Sequence, residues 1–263
     1  MLEEEPLSRS RTALLALSLS TLLLAPLLSC DRGNWPGAPE GYNYRTAHIA
    51  WRLEGNVRGT SERYVETSGF KDGKLVVKRF AQIGRFESDS IYRGKPPTKV
   101  DSWLINDQGT QFLVMKDIKL TVKRKMNLDV FIRMNSYFLW REVLWGLIPR
   151  KELPRDLRVA LQKVIGKPDD ATLKKVGAKI TTDTFLGHKV TRYEMPLDGG
   201  RALLLMYGEI PLKTDIKYKR SNVPIHNIMT ATKFELNKRL SDSPFTPPKN
   251  FKIRDSRRPI PAG

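Results

Sequence analysis

The sequence is poor in cysteine and histidine, and both shortages narrow what the protein can be. Cys30 is the single cysteine among 263 residues, so no disulfide can form within the chain and the fold must be stabilised by burial. The three histidines, His48, His188 and His226, are far apart in the sequence, which also lacks His-Glu-x-x-His, Gly-x-Ser-x-Gly and glycine-rich phosphate-loop motifs. These absences predict a protein that is not an enzyme and that uses no metal or cofactor.

The apolar run near the N-terminus is short for a membrane-spanning helix, which needs about 20 residues. Arg9 and Arg11 precede this run, and Leu27-Leu28-Ser29-Cys30 ends it. The arrangement resembles a bacterial lipoprotein signal peptide, which is cleaved before a cysteine that then carries the lipid. The resemblance implies a signal peptide over residues 1–29, a lipid attached to Cys30, and a location in the bacterial cell envelope facing the periplasm. A plain secretory signal and an uncleaved anchor are the alternatives.

Acidic residues are also scarce, since 28 Asp and Glu stand against 46 Lys and Arg and the net charge is +18. A basic surface attracts polyanions. For a chain anchored in a membrane by lipid, we expect anionic phospholipid headgroups or envelope glycans as partners, and no nucleic acid. A solvated basic face without a partner is the alternative.

Composition divides the rest of the chain into a linker, one domain and a tail. Residues 30–43 are rich in proline and glycine and are predicted to form a flexible linker. One domain is predicted over residues 44–253, with a helical insertion at about 127–176. A basic tail, residues 254–263, is expected to fray after Ile253.

Most of the domain alternates between apolar and polar residues with a period of two, which is typical of half-buried antiparallel strands. Ile49, Trp51 and Leu53 share one face of the first predicted strand. Lys71-Asp72-Gly73-Lys74 predicts a hairpin turn. Predicted strands run over residues 44–54, 60–67, 75–81, 100–105, 111–119, 189–195, 201–207, 213–219 and 225–236.

The middle of the chain predicts helices. Residues 128–147 are too long and too uniformly apolar for a strand, and a helix that is apolar on most sides is buried or covers something apolar. A second helix is predicted from Pro154 to Ile165, and Asp169 or Asp170 is expected to cap a short third one. The first helix is either a lid that meets lipid through Trp140 and Trp145 or an ordinary part of the core.

The C-terminal half resembles a known family, the periplasmic lipoprotein carriers with LolA/LolB-like half-barrels. The resemblance follows a Leu-Gly-x-Lys strand that ends in tyrosine, an aromatic followed by Ile-Pro-Leu-Lys, and two closing phenylalanines. Glu209 departs from the pattern, because the family usually has glycine there. The matching residues are Leu186, Gly187, Lys189, Tyr193, Tyr207, Ile210, Pro211, Leu212, Lys213, Phe245 and Phe251.

These patterns together predict an α+β fold in which a curved antiparallel sheet, an open or half β-barrel, is covered by the central helical segment. A curved sheet has a concave apolar face that something must cover. The resemblance implies that this face binds acyl chains of a lipid or of a lipoprotein in a carrier, sorting or sensing role. The alternative is a structural or interaction lipoprotein whose sheet is filled by its own helices. The predicted ligand contacts are Ile49, Trp51, Leu53, Leu104, Leu113, Phe138, Trp140 and Trp145.

Overall fold

The computed structural model describes residues 35–89, 98–125, 139–164, 166–220 and 223–256. All of these ranges belong to one unit that begins at Trp35. Within them the chain is mostly β: twelve strands form one curved, unclosed sheet, and three short helical segments accompany it. The prediction of an open antiparallel sheet is confirmed, but the helical share of the predicted α+β fold is smaller than expected.

The first half of the sheet is a meander of six antiparallel strands. The Asp72-Gly73 turn between the second and third strands has positive φ at both residues, which is the geometry that the sequence predicted there. The strands are β1 Thr46–Gly55, β2 Val57–Lys71, β3 Lys74–Ser88, β4 Thr98–Asp107, β5 Thr110–Met115 and β6 Leu120–Lys125.

The second half is a meander of five strands, and its last strand pairs with β1, so the two meanders form one sheet. Proline cannot donate to a central ladder, so the sequence predicts a bulged corner at a sheet edge near Pro211. A register shift between Pro211 and Lys213 confirms the bulge. The strand that carries this bulge is interior in the sheet, not at its edge as predicted. Its pairing with the last strand begins only at Lys213, beyond the proline. The strands are β7 Lys179–Phe185, β8 His188–Leu197, β9 Gly200–Tyr207, β10 Ile210–Arg220 and β11 Val223–Leu236.

Three details of the predicted strands are wrong. Residues 111–119 are not one strand, because a turn separates β5 from β6 and Lys119 takes a positive φ without the glycine that signals such turns. β7 was missed because it is a polar edge strand without apolar alternation. The chain does not fray after Ile253: β12, Lys252–Asp255, pairs in parallel with β6.

The three helical segments connect the two halves of the sheet. Residues 139–147 form the described part of helix α1, whose predicted start at Leu128 lies outside the described residues. α2, Arg155–Gln162, lies within the predicted second helix. α3, Asp170–Lys175, is capped as predicted by Asp169, whose side chain accepts a hydrogen bond from the Thr172 backbone N–H.

Helix α1 lies close against the sheet. A Cβ atom on Gly146 would lie 2.9 Å from side-chain atoms of Leu197 and Tyr218, so only glycine allows this approach without displacement. The Asp198 backbone N–H also donates a hydrogen bond to the Gly146 carbonyl at 2.7 Å. The helix therefore packs tightly onto β8 and β10 at this end.

Three separate clusters of buried side chains form the core. The helix cluster joins Trp140, Val143, Leu147 and their neighbours in α1 to α2, α3 and β8–β11. The sheet cluster joins β1–β3 to β8–β11 and includes Ile49, Trp51, Phe80, Leu212 and Phe234. A third cluster covers β3–β5 with Phe245 from the segment after β11. The side chains of the chain itself thus fill the space around β1 and β8–β11.

The segment that precedes β1 contacts the β9–β10 turn backbone to backbone. A Cβ atom on Gly41 would lie 2.5 Å from the Gly208 backbone nitrogen. Gly41→Ala is therefore expected to lower the free energy of unfolding by about 1–3 kcal/mol, because the two backbones must separate. Gly69→Ala is the control, since its added Cβ would have no neighbour within 4 Å. Urea unfolding followed by circular dichroism checks both; equal stability of the two variants would contradict the close contact.

Candidate ligand-binding face of the sheet

The strand register places the predicted contacts of β1, β4 and β5 on one face, here called the inner face, which is the face of β1–β6 that carries Ile49. A row of directly paired residues crosses it perpendicular to the strands, from Ile49 through Leu104 to Leu113. We call this the central row; its members are Ile49, Arg63, Gln82, Leu104, Leu113 and Val122. Adjacent strands are about 4.8 Å apart, so each member contacts the next.

The apolar part of the central row lies at the β4–β6 end. Leu104, Leu113 and Val122 are directly paired and are all half-buried. Leu104 also packs against the sheet cluster, whereas Leu113 belongs to none of the three core clusters. This is the part of the inner face at which aliphatic side chains keep accessible surface.

The other predicted contacts have different surroundings. Ile49 is fully buried and Trp51 is 2% exposed, and the Trp51 indole N–H donates a hydrogen bond to the Pro211 carbonyl at 2.8 Å. Both side chains are thus part of the sheet cluster, and Leu53 packs against it half-buried. Their role as ligand contacts stays a prediction, but in this arrangement Ile49 and Trp51 serve as core.

The two described tryptophans of α1 do not join the inner face. Trp140 is 1% exposed within the helix cluster and meets Tyr193 edge to face. Trp145 is 38% exposed, and the guanidinium groups of Arg141 and Arg220 lie 5.1 and 4.2 Å from its ring centroid. Trp140 can therefore reach a ligand only if α1 leaves the sheet. Phe138 and Cys30 lie outside the described residues.

Arg63, which the sequence did not single out, occupies the centre of the inner face. Its Cζ lies 5.1 Å from the Trp51 ring centroid and 5.5 Å from that of Phe80, and its Nη2 donates to the Gln82 side-chain oxygen at 3.3 Å. Its Nε–H is buried and has no hydrogen-bond partner among the described residues. No carboxylate among the described residues forms an ion pair with it, and burial lowers the pKa of Arg63 to about 10.

A second polar group lies one row away on the same face. Asn106, Gln111 and Arg124 are directly paired across β4, β5 and β6. Asn106 is fully buried, and neither polar atom of its side-chain amide has a partner in the described part of the chain. Gln111 accepts a hydrogen bond from Arg124 through its oxygen, but its amide nitrogen has none. Each buried polar group without a partner costs about 1–3 kcal/mol, so such groups are typical of sites that a ligand or water completes.

No sequence signal separated these polar residues from ordinary surface ones. Arg63 and Gln82 lie in strands where charged and amide side chains are common on the solvent face, and only the register of β1 with β2 and of β2 with β3 turns them inward. The one available hint that Arg63 points inward was its spacing, since it lies two residues before Val65 and so on the same face of the strand.

Two grooves lie on the strands of the second meander. One groove of about 470 Å³ is lined by Lys179, Arg192, Glu194 and Arg201 among others. Another, of about 420 Å³, shares Arg201 and includes His226, whose Nε2 lies 2.9 Å from an Asp215 carboxylate oxygen. Among the described residues no three His, Cys, Asp or Glu side chains are grouped so as to hold a metal ion.

Comparison with known proteins does not assign a family. No family model and no curated protein matches the sequence. Solved structures resemble the chain weakly. An uncharacterised conserved protein from Thermus thermophilus has 8% identity and a TM-score of 0.40, over 82% of this chain and 94% of that one. A chain of the Pseudomonas aeruginosa MucA/MucB complex has 9% identity and a TM-score of 0.39, over 84% and 63%.

A structure of MucB alone has 10% identity and a TM-score of 0.34, over 90% of this chain and 65% of that one. The chain thus spans slightly less than two thirds of the MucB structures. Identities and TM-scores this low do not place the chain in a family and do not carry a function over to it. Within the described residues, none of the helices is long and apolar enough to cross a membrane.

Proposed function

We propose that this protein is a lipid-anchored binding protein of the bacterial cell envelope, that it faces the periplasm, and that it holds an acyl-bearing ligand on the inner face without catalysing a reaction. The anchor rests on the apolar leader that ends at Cys30. Binding rests on the inner face, where the half-buried apolar side chains of Leu104, Leu113 and Val122 adjoin buried polar atoms that have no hydrogen-bond partner among the described residues. An acyl chain with a polar head matches that combination.

The second candidate function is that of an interaction protein whose core is already filled. Ile49, Trp51 and Trp140 are almost completely buried among the side chains of the chain itself, and this observation favours it. The two functions differ in one measurable property, because only the first requires a site for an acyl chain. Whether an acyl chain binds beside the half-buried side chains of β4–β6 decides between them.

Binding is tested with cis-parinaric acid, a fluorescent fatty acid, added to the full chain carrying Cys30→Ser so that no attached lipid competes. Leu113→Gln is expected to weaken binding about tenfold, because it places an amide where the chain would bury a methylene surface. Ile118→Gln is the matched control, since Ile118 is an exposed residue in the turn between β5 and β6.

The outcome separates the two candidate functions. Saturable binding that Leu113→Gln weakens and Ile118→Gln leaves unchanged supports the acyl site. Two results contradict the acyl site: no binding to the Cys30→Ser chain, or equal affinity of the Leu113→Gln and Ile118→Gln variants for the probe. Either result supports the second candidate function, an interaction protein with a filled core.

A further inference from the structure

Arg63 is a charged side chain in a place where charge is unfavourable. The residue is half-buried and its Nε is buried; its guanidinium group lies near the rings of Trp51 and Phe80 in the sheet cluster, and no carboxylate of the described residues pairs with it. Buried guanidinium groups in folded proteins are normally paired, since an unpaired charge loses its hydration without compensation. The two aromatic rings offset only part of that loss. Stability therefore gives no reason for an arginine here, whereas ligand binding does.

The geometry also restricts what Arg63 can bind. A guanidinium group has five N–H donors in one plane. Both rings lie within 5.5 Å of Cζ, one donor is used by Gln82, and the buried Nε–H is unused. The ligand must therefore approach the edge of the guanidinium plane and accept hydrogen bonds, which carboxylate and phosphate groups do with two parallel bonds.

The rest of the ligand follows from the central row. Leu104 is two strands from Arg63, or about 10 Å, and Leu113 and Val122 continue in the same direction. An anionic head at Arg63 would thus place an attached chain over three half-buried aliphatic residues. Gln82, which lies between the two parts, donates to Ser61 and has its own oxygen engaged by Arg63.

We propose that Arg63 recognises the anionic head, a carboxylate or a phosphate, of an acyl ligand whose chain lies along Leu104, Leu113 and Val122. This inference rests on the proposed acyl binding, and it adds that the head must be charged. It also gives the protein a preference for fatty acids or anionic phospholipids over neutral lipids with the same chain.

The test compares two probes that differ only in charge, cis-parinaric acid and its methyl ester, on the full chain carrying Cys30→Ser. The acid is expected to bind about tenfold more tightly than the ester, as a hydrogen-bonded ion pair gives. Arg63→Gln should remove this preference by weakening only the acid, and Arg63→Lys should keep part of it. Arg58→Gln is the control, because Arg58 lies on the same strand but is exposed and paired with Asp89.

Competition identifies the head. Displacement of the acid by dilauroyl phosphatidylglycerol but not by dilauroyl glycerol assigns a phosphate; displacement by laurate alone assigns a carboxylate. Equal affinity of the chain that keeps Arg63 for the acid and for the ester would overturn the inference while leaving acyl binding in place. Failure of both probes to bind would overturn acyl binding itself and the inference with it.

The urea midpoint of each variant shows whether Arg63 has a merely structural role. Arg63→Gln is expected to keep or raise the midpoint, because it removes a half-buried charge that no carboxylate of the described residues neutralises. Suppose that the urea midpoint of Arg63→Gln falls strongly and that the chain with Arg63 binds acid and ester equally. Arg63 would then have a structural role only. If the glutamine variant does not fold, the comparison of the two probes on Arg63 itself still decides the question.

Discussion

Trp140→Ala is expected to lower the free energy of unfolding by about 3–5 kcal/mol, the cost of emptying a buried aromatic site. The side chain is 1% exposed and packs edge to face on Tyr193, 5.6 Å between ring centroids. Because α1 packs closely on β8 and β10 at Gly146, the surrounding residues have little room to fill the cavity. Urea unfolding followed by far-ultraviolet circular dichroism measures the loss.

Trp145→Ala on the same helix is the matched control. Trp145 is 38% exposed, and its described aromatic contacts are with the guanidinium groups of Arg141 and Arg220. Contacts of this kind at an exposed site contribute about 0.5–1 kcal/mol, so the variant should unfold close to the wild-type midpoint. If Trp140→Ala instead lowers the free energy of unfolding no more than Trp145→Ala does, α1 detaches readily from the sheet, as a lid must.

The comparison of these two variants decides whether α1 is lid or core. The described contacts favour core: the helix contributes Trp140, Val143, Leu144 and Leu147 to the helix cluster, and its carbonyl at Gly146 accepts a backbone hydrogen bond from the β8–β9 turn. Contact of lipid with both tryptophans would require all of these interactions to break together. Trp145 alone is positioned to meet an anionic surface while the fold stays intact.

Cys30→Ser is expected to abolish the incorporation of labelled palmitate when the full chain is produced in a bacterial host. The thiol is the only one in the sequence, so no second cysteine can accept the lipid. The measurement is radiolabel in the purified protein after gel electrophoresis, and the protein should move from the membrane fraction to the soluble one.

The control variant is Ser29→Ala, which keeps a small residue before the cysteine and should be labelled like the wild type. Absence of label in the wild-type protein would contradict lipidation and leave a plain secretory signal or an uncleaved anchor. Label that persists in Cys30→Ser would show attachment elsewhere in the chain.

Local sequence patterns were sufficient for the elements whose signal is local. Alternation with a period of two identified β1 and the middle of β2, and Asp72-Gly73 specified the turn after β2, because these features depend on neighbouring residues. The same holds for the Asp169 cap and for α2. The turn before β6 and the polar edge strand β7 had no such signal, and β12 exists only because β6 offers it an edge.

The inner face required tertiary structure. Sequence alone put Ile49 and Trp51 on one side of β1 and gave Leu104 and Leu113 as further candidates, and the register places Ile49, Leu104 and Leu113 in one row. The sequence could not show which of these residues are core, because their burial depends on the second half of the sheet, more than 100 residues away.

What the sequence by itself determined is the antiparallel β character, the apolar leader ending at Cys30 and the basic charge, all of which follow from composition and short-range order. What only the tertiary structure decided is that Trp140 belongs to a packed core and that Arg63 lies beside Trp51 and Phe80 with no ion-pair partner among the described residues. The physical reason is that the energy of a charge or an aromatic ring depends on what surrounds it. Those surroundings come from strands that the register, rather than the local sequence, brings together.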